Sequence, residues 1–237
     1  MLVKSEAFVL SAIQYGDSGK IIKLYTESSG PKSFIVKSVY SKRNKQNALF
    51  IPLNQLDIVF EEKPKMNLLY FKEITQSFHY QSIYTNPTKT TISLFLSEIL
   101  NSVLKEEEAN SALFRFIRNS LENFDQKESV YADFHLWFLI NLSRFLGFYP
   151  NLKKGTQYFD LINGISTHEF PSEYFIEKSD LKLFEDLISL DFFHQTENLF
   201  NQAQRNSLLS VLILYFELHI SDFRRPKSLD VLNQVFE

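Results

Sequence analysis

A chain of 237 residues, 44% hydrophobic and 22% charged, has enough apolar material for one large folded domain or two ordinary ones. It has no cysteine, which excludes disulfides, thiolate zinc sites and cysteine nucleophiles and fits a reducing cytosol. The net charge of −3 hides an asymmetry: residues 1–80 hold 11 Lys and Arg against 7 Asp and Glu, whereas residues 81–237 hold 14 against 21. The basic half is the one suited to a polyanion. No stretch approaches the roughly 20 apolar residues of a membrane span. The opening Met1-Leu2-Val3-Lys4-Ser5-Glu6 lacks a signal-peptide pattern, so no membrane partner is expected.

In chain order, the first 80 residues read as strands. Ala7–Ile13 and Lys20–Thr26 are rich in aliphatic and β-branched residues, with Tyr15-Gly16-Asp17-Ser18-Gly19 as the turn between them. After a second turn at Ser28-Ser29-Gly30-Pro31 come Ser33–Val39, Leu56–Glu62 and Leu68–Ile74. Five short strands with tight turns predict a small barrel of the OB-fold type.

From about residue 88 the apolar period becomes helical. Ile92, Phe95, Leu96, Ile99, Leu100 and Val103 share one face, as do Leu113, Phe114, Ile117 and Leu121. Phe134–Phe148 is apolar nearly all round, so a central buried helix is expected, ended by Gly147 and Pro150. Tyr158–Ile165 predicts a β-hairpin around Asn163-Gly164. Leu181–Leu190 predicts a short helix, Asn201 with Gln204 a capping box opening a helix to about Ile220, and Ser228–Phe236 a terminal helix. The fold class is therefore α+β and multidomain: an OB-fold barrel over 1–80, then an all-α domain over 81–237 with a small hairpin insertion.

Few motifs carry chemistry. Gly16-Asp17-Ser18-Gly19-Lys20 fails the phosphate-loop pattern, because Gln14 replaces its first Gly and Ile21 its Ser or Thr. His79, His135, His168, His194 and His219 form no paired metal motif, and no nucleophile elbow exists. The basic segment says more: residues 16–45 hold seven Lys and Arg against two Asp and Glu. Lys20, Lys23 and Lys32 stand on strands, Lys37, Lys42, Arg43 and Lys45 cluster after the third, and Tyr25, Phe34 or Tyr40 could stack on bases. Charge alone fits this reading and a lysine-protected strand edge equally well.

Taken in order, these segments resemble the RecO family. Ala7-Phe8-Val9-Leu10 followed by Tyr15–Thr26 is similar to the family's opening, which leads to a basic loop (here Lys37–Lys45) and a "PL" strand (here Ile51-Pro52-Leu53). Lys72-Glu73-Ile74 resembles the close of its barrel, and Phe95–Leu100 its first long helix. Phe145–Pro150 resembles its "LG(F/Y)xP" helix end, and Leu218-His219 with Lys227–Leu232 its ending in Bacteroidetes-like members. Two departures stand out. The four-cysteine zinc module of many members is replaced by the apolar hairpin within Asn151–Phe175, and Ser38 stands where the basic loop usually has Gly.

The resemblance implies a non-enzymatic recombination mediator of DNA repair and the SOS response, cytoplasmic and nucleoid-associated, without cofactor or metal. Such proteins bind single- and double-stranded DNA, anneal complementary strands, work with RecR, help load RecA, and dock the acidic tail of single-stranded DNA-binding protein (SSB). The expected DNA contacts are Lys20, Lys23, Lys37, Tyr40, Lys42, Arg43 and Lys45; the expected cations for the SSB tail are Arg115, Arg118 and Arg144. Two rival readings stay open: a protein adaptor with incidental DNA contact, and a metal-dependent hydrolase built on scattered His, Asp and Glu.

Overall fold

The computed structural model describes all residues except 38–44, 63–65, 107 and 236–237. They form two compact units: Met1–Asn119 with Pro226–Leu232, and Ser120–Arg225 with Asn233–Glu237.

In the first unit β1 (Leu2–Tyr15), β2 (Gly19–Thr26), β3 (Gly30–Val36), β4 (Gln55–Glu61) and β5 (Phe71–Gln76) make one antiparallel sheet in the order β3-β2-β1-β4-β5. Side chains alternate across each strand, so Val9, Ile22, Leu24, Phe34, Ile58 and Phe60 all reach the same interior. Phe34 stacks on Phe71 at 4.3 Å and meets Phe60 edge-on at 5.3 Å. The outer strands are joined by an isolated parallel bridge, Phe34 to Leu69, with Ile35 N donating to Leu69 O and Leu69 N to Ser33 O, both at 2.9 Å. This is the expected OB-like sheet, joined at one bridge rather than along a full ladder.

Two bulges shape it. Leu10 is the extra residue of β1 between the Val9–Leu24 and Ser11–Lys23 pairs. Lys72 is the extra residue of β5 between the Phe60–Phe71 and Val59–Glu73 pairs. The outer face of β1 and β2 carries Phe8 and Tyr25, which pack on Phe114 with ring centroids 4.9 and 5.8 Å away. Phe114 belongs to α2 (Ser111–Gln126), which follows α1 (Pro87–Val103). Pro87 suits the start of α1, where its missing N–H costs nothing, and Asn86 caps the helix by accepting from Lys89 N. The C-terminal segment returns to this unit: Ser228 donates from both N and Oγ to the Glu98 carboxylate. It opens α6 (Leu229–Val235), whose Leu232 is fully buried.

Gly30 turns the chain between β2 and β3 at φ +65°, and a Cβ there would meet the backbone of Glu108, 2.5 Å from its O and 3.0 Å from its N. Backbone cannot swing aside like a side-chain end, so Gly30→Ala should cost at least about 2 kcal/mol from the left-handed conformation and the clash together. Urea unfolding checks this, and an unchanged midpoint would refute it.

Three expectations in this region are corrected. The first strand is longer than Ala7–Ile13, because hydrogen bonding to β4 continues through the polar residues Lys4 and Glu6. The third strand ends at Val36, and residues 38–39 lie outside the described residues. Ile51-Pro52-Leu53 is a turn and not a strand: Leu53 takes φ +59° and donates to Val9 O at 2.8 Å, so pairing with β1 resumes only at Gln55.

In the second unit α3 (Phe134–Phe145) is the buried centre. Phe148 N donates to Ser143 O across Gly147 at φ +86°, the Schellman closure expected of Gly just past a helix end. The hairpin is present as β6 (Tyr158–Asp160) and β7 (Ile165–Thr167), and β8 (Phe175–Glu177) adds a third strand in the order β7-β6-β8. Then come α4 (Lys178–Ile188) and α5 (Gln202–His219). Asn201 and Gln204 form the predicted capping box of α5, with bonds of 3.0 and 2.9 Å.

Candidate nucleic-acid interface

The basic strand ends of the first unit are sorted by strand alternation. On β2, Lys20 shares parity with the inward Ile22 and Leu24, but it sits at the strand's beginning, where its Nζ reaches Asn47 Oδ1 at 2.6 Å. Asn47 belongs to the short 3-10 helix Lys45–Leu49 that follows the basic loop. Lys23 points to the opposite face and donates to Asn101 O near the end of α1 at 3.2 Å. Lys32 on β3 pairs with Glu62 at 3.5 Å. Lys37, just past β3, is exposed, and its Nζ lies 5.8 Å from the Tyr70 ring centroid. Lys20 and Lys37 thus flank the point where the basic loop leaves the sheet. Tyr40, Lys42 and Arg43 lie outside the described residues, as does the side chain of Lys45.

Two of the aromatics expected to stack on bases are withdrawn from solvent. Phe34 is 0% exposed, because alternation on β3 turns it inward onto Phe71. Tyr25 is 2% exposed beneath Phe114, its hydroxyl directed to Asn110 O at 3.4 Å, and burial pushes its pKa up to about 12. Tyr70, absent from the sequence reading, is an exposed aromatic of this region at 49%, as is Tyr15 at the end of β1 at 53%. The available signal was the odd–even pattern of Leu69, Tyr70 and Phe71 entering β5, which turns the middle residue outward. Tyr70 lines a surface cleft of about 190 Å³ with Glu61, Met66, Leu69 and Lys72.

The three arginines expected at a partner pocket do different things. Arg115 is exposed on α2. Arg118, one turn on, forms an ion pair with Glu6 and lies 5.2 Å from the Phe114 ring. Arg144 is in the second unit, exposed near the end of α3, with its guanidinium 4.2 Å from the Tyr149 ring centroid. Two further exposed rings in that unit, Phe170 and Tyr174, flank the three-stranded sheet.

Among the described residues no three His, Asp or Glu side chains stand together as a metal cage, and no helix is long and apolar enough to cross a membrane.

Comparison with known proteins gives one answer. Residues 1–78 match the family described as "Recombination protein O N terminal", and residues 84–230 match "Recombination protein O C terminal". The chain is 38% identical to the DNA repair protein RecO of Christiangramia forsetii over 239 residues, 36% identical to that of Flavobacterium psychrophilum over 239, and 35% identical to that of Bacteroides fragilis over 244. All of each chain is covered in every case. Matched in both halves and along the whole length of such relatives, the chain belongs to the RecO family of DNA repair proteins.

Proposed function

We propose that this protein is a non-catalytic recombination mediator. Residues 1–80 act as the nucleic-acid-binding domain and residues 81–237 as the partner-docking domain. The protein binds single- and double-stranded DNA, anneals complementary strands and, with RecR, assists loading of RecA onto SSB-coated single strands in the nucleoid. The observation that carries this reading is the full-length similarity to DNA repair proteins of the family. The basic segment supports it: Lys20 and Lys37 flank the exit of the loop that carries Tyr40, Lys42, Arg43 and Lys45. Such cations displace counterions from phosphates, so binding is sequence-tolerant and salt-sensitive. Lys23, on the opposite face of β2 and held at the Asn101 carbonyl, ties β2 to α1 and adds only to the domain's overall positive field. Arg115, Arg118 and Arg144 are the proposed cations for the acidic SSB tail, with Arg115 and Arg144 the more accessible.

The test is anisotropy of a labelled single-stranded oligonucleotide over a salt titration, with Lys42→Glu/Arg43→Glu beside the wild type. The double reversal should weaken binding about tenfold or more at 0.1 M salt and reduce the log–log salt slope by roughly one to two. An unchanged slope would remove the loop from the interface. RecR capture by a wild-type protein that holds no DNA at low salt would favour the adaptor reading instead.

A further inference from the structure

We infer that Tyr70 is a stacking platform for one unpaired base of single-stranded nucleic acid, a role that rests on the DNA-binding reading above. The ring is half exposed although its chain neighbours are not: Leu69 is tied to β3 through the Phe34 bridge, and Phe71 stacks on Phe34. The residues on both sides of Tyr70 are thus held by packing, so the ring stands on a fixed base. Stacking sites gain from such prior ordering, since little side-chain freedom is lost on binding.

The surroundings select the ligand. Lys37 lies 5.8 Å from the ring centroid, and Lys72, the bulged residue of β5, lines the same cleft. One ammonium group thus lies over the Tyr70 ring and a second lysine lines the same cleft, the combination of cations and aromatic that sequence-tolerant single-strand binding uses: backbone on cations, base on the ring. Met66 and Leu69 supply apolar walls, while Glu61 repels phosphate from the cleft itself. The group the cleft accepts is a flat, neutral ring, with phosphates to either side. A volume of about 190 Å³ is below the roughly 300–1,000 Å³ of drug-sized sites and suits one base rather than a duplex end. In duplex DNA the bases are already stacked and paired, so Tyr70 acts on single strands alone.

The experiment uses the full chain, a single-stranded oligonucleotide carrying 2-aminopurine, the same oligonucleotide with abasic positions, and a duplex. Tyr70→Ala should weaken single-strand binding roughly 5- to 100-fold, the range of one base–aromatic stack. It should also abolish the protein-induced fluorescence change, leaving duplex affinity and the salt slope unaltered because the ring carries no charge. Tyr70→Phe should restore both signals; Tyr70→Leu, which keeps apolar bulk without a π face, should not, and it serves if the alanine variant fails to fold. Wild type and Tyr70→Ala should bind the abasic oligonucleotide equally. Salt-sensitive wild-type binding with Tyr70→Ala and Tyr70→Leu unchanged in affinity and fluorescence overturns the stacking role and leaves the DNA-binding reading standing. A wild-type protein that binds no oligonucleotide at low salt overturns that reading, and the stacking role with it.

Discussion

Asp133→Ala should cost about 3–5 kcal/mol, the range found when one partner of a buried ion pair is removed. Asp133 is fully buried just before α3 and gathers three donors from distant sequence. Leu199 N donates to its Oδ2 at 2.7 Å, Gln195 Nε2 to the same oxygen at 2.9 Å, and the Arg205 guanidinium stands 3.5 Å from Oδ1. Arg205 lies on the first turns of α5 and also donates to Phe200 O. One carboxylate thus fixes the irregular segment between α4 and α5 to the helix that forms the unit's core. Removing it leaves the buried Arg205 guanidinium without its counter-charge, which carries a desolvation penalty, and takes the acceptor away from the Gln195 amide and the Leu199 N–H. Against a typical total stability of about 5–15 kcal/mol, the loss should lower the melting temperature by roughly 10 °C or more. Circular dichroism melting with urea titration measures it, and a loss below about 1 kcal/mol would show that the network contributes little. The double variant Asp133→Asn/Arg205→Met should recover much of the loss, because no uncompensated charge remains buried.

The sequence made the local parts of this fold legible and left the long-range parts hidden, for a physical reason. Strand alternation, the helical period of α1 to α3, the Asn201 capping box and the Gly147 terminator depend on residues within a turn or two of each other. Bulges are different. The extra residues Leu10 and Lys72 exist only relative to a partner strand, and no local pattern marks them. The short strand β8 gains its identity from hydrogen bonds to β6, and the turn at Leu53 from its bond to Val9. The Asp133–Arg205 pair joins residues 72 positions apart.

The candidate site divides along the same line. That residues 16–45 are basic is a property of composition and was plain. Which aromatic faces solvent is a property of register: Phe34 and Tyr25 point into packed interiors, while Tyr70, between the buried Leu69 and the partly buried Phe71, points out. Lys23 looked equivalent to Lys20 on the same strand, yet opposite parity sends it to a helix carbonyl 78 residues away. A charge count cannot see that difference, and a sheet register can.

Stability should fall as the pH drops from about 6.5 toward 3, through a group that never meets solvent. His135 is 1% exposed on α3, and its pKa is lowered to about 3, chiefly by burial, with the Arg205 charge adding to the effect against a hydrogen bond at Ala132. Above pH 6.5 the imidazole is neutral in folded and unfolded chains alike, and it contributes no slope. Below 6.5 the unfolded chain takes up a proton that the folded chain refuses until about pH 3, so the unfolded state is favoured as acid increases. At pH 5 the gap corresponds to about 2 kcal/mol, at 1.36 kcal/mol per pH unit below an unfolded value of about 6.5. Ordinary carboxylates in unfolded chains titrate near 4, so the interval between about pH 5 and 6.5 isolates the histidine contribution. Urea unfolding at half-unit steps across that interval should give a falling stability in the wild type and a markedly flatter line in His135→Gln, whatever the variant's stability at pH 7. Parallel lines for the two proteins would show that His135 is protonated in the fold, and would require a water or carboxylate path to its ring.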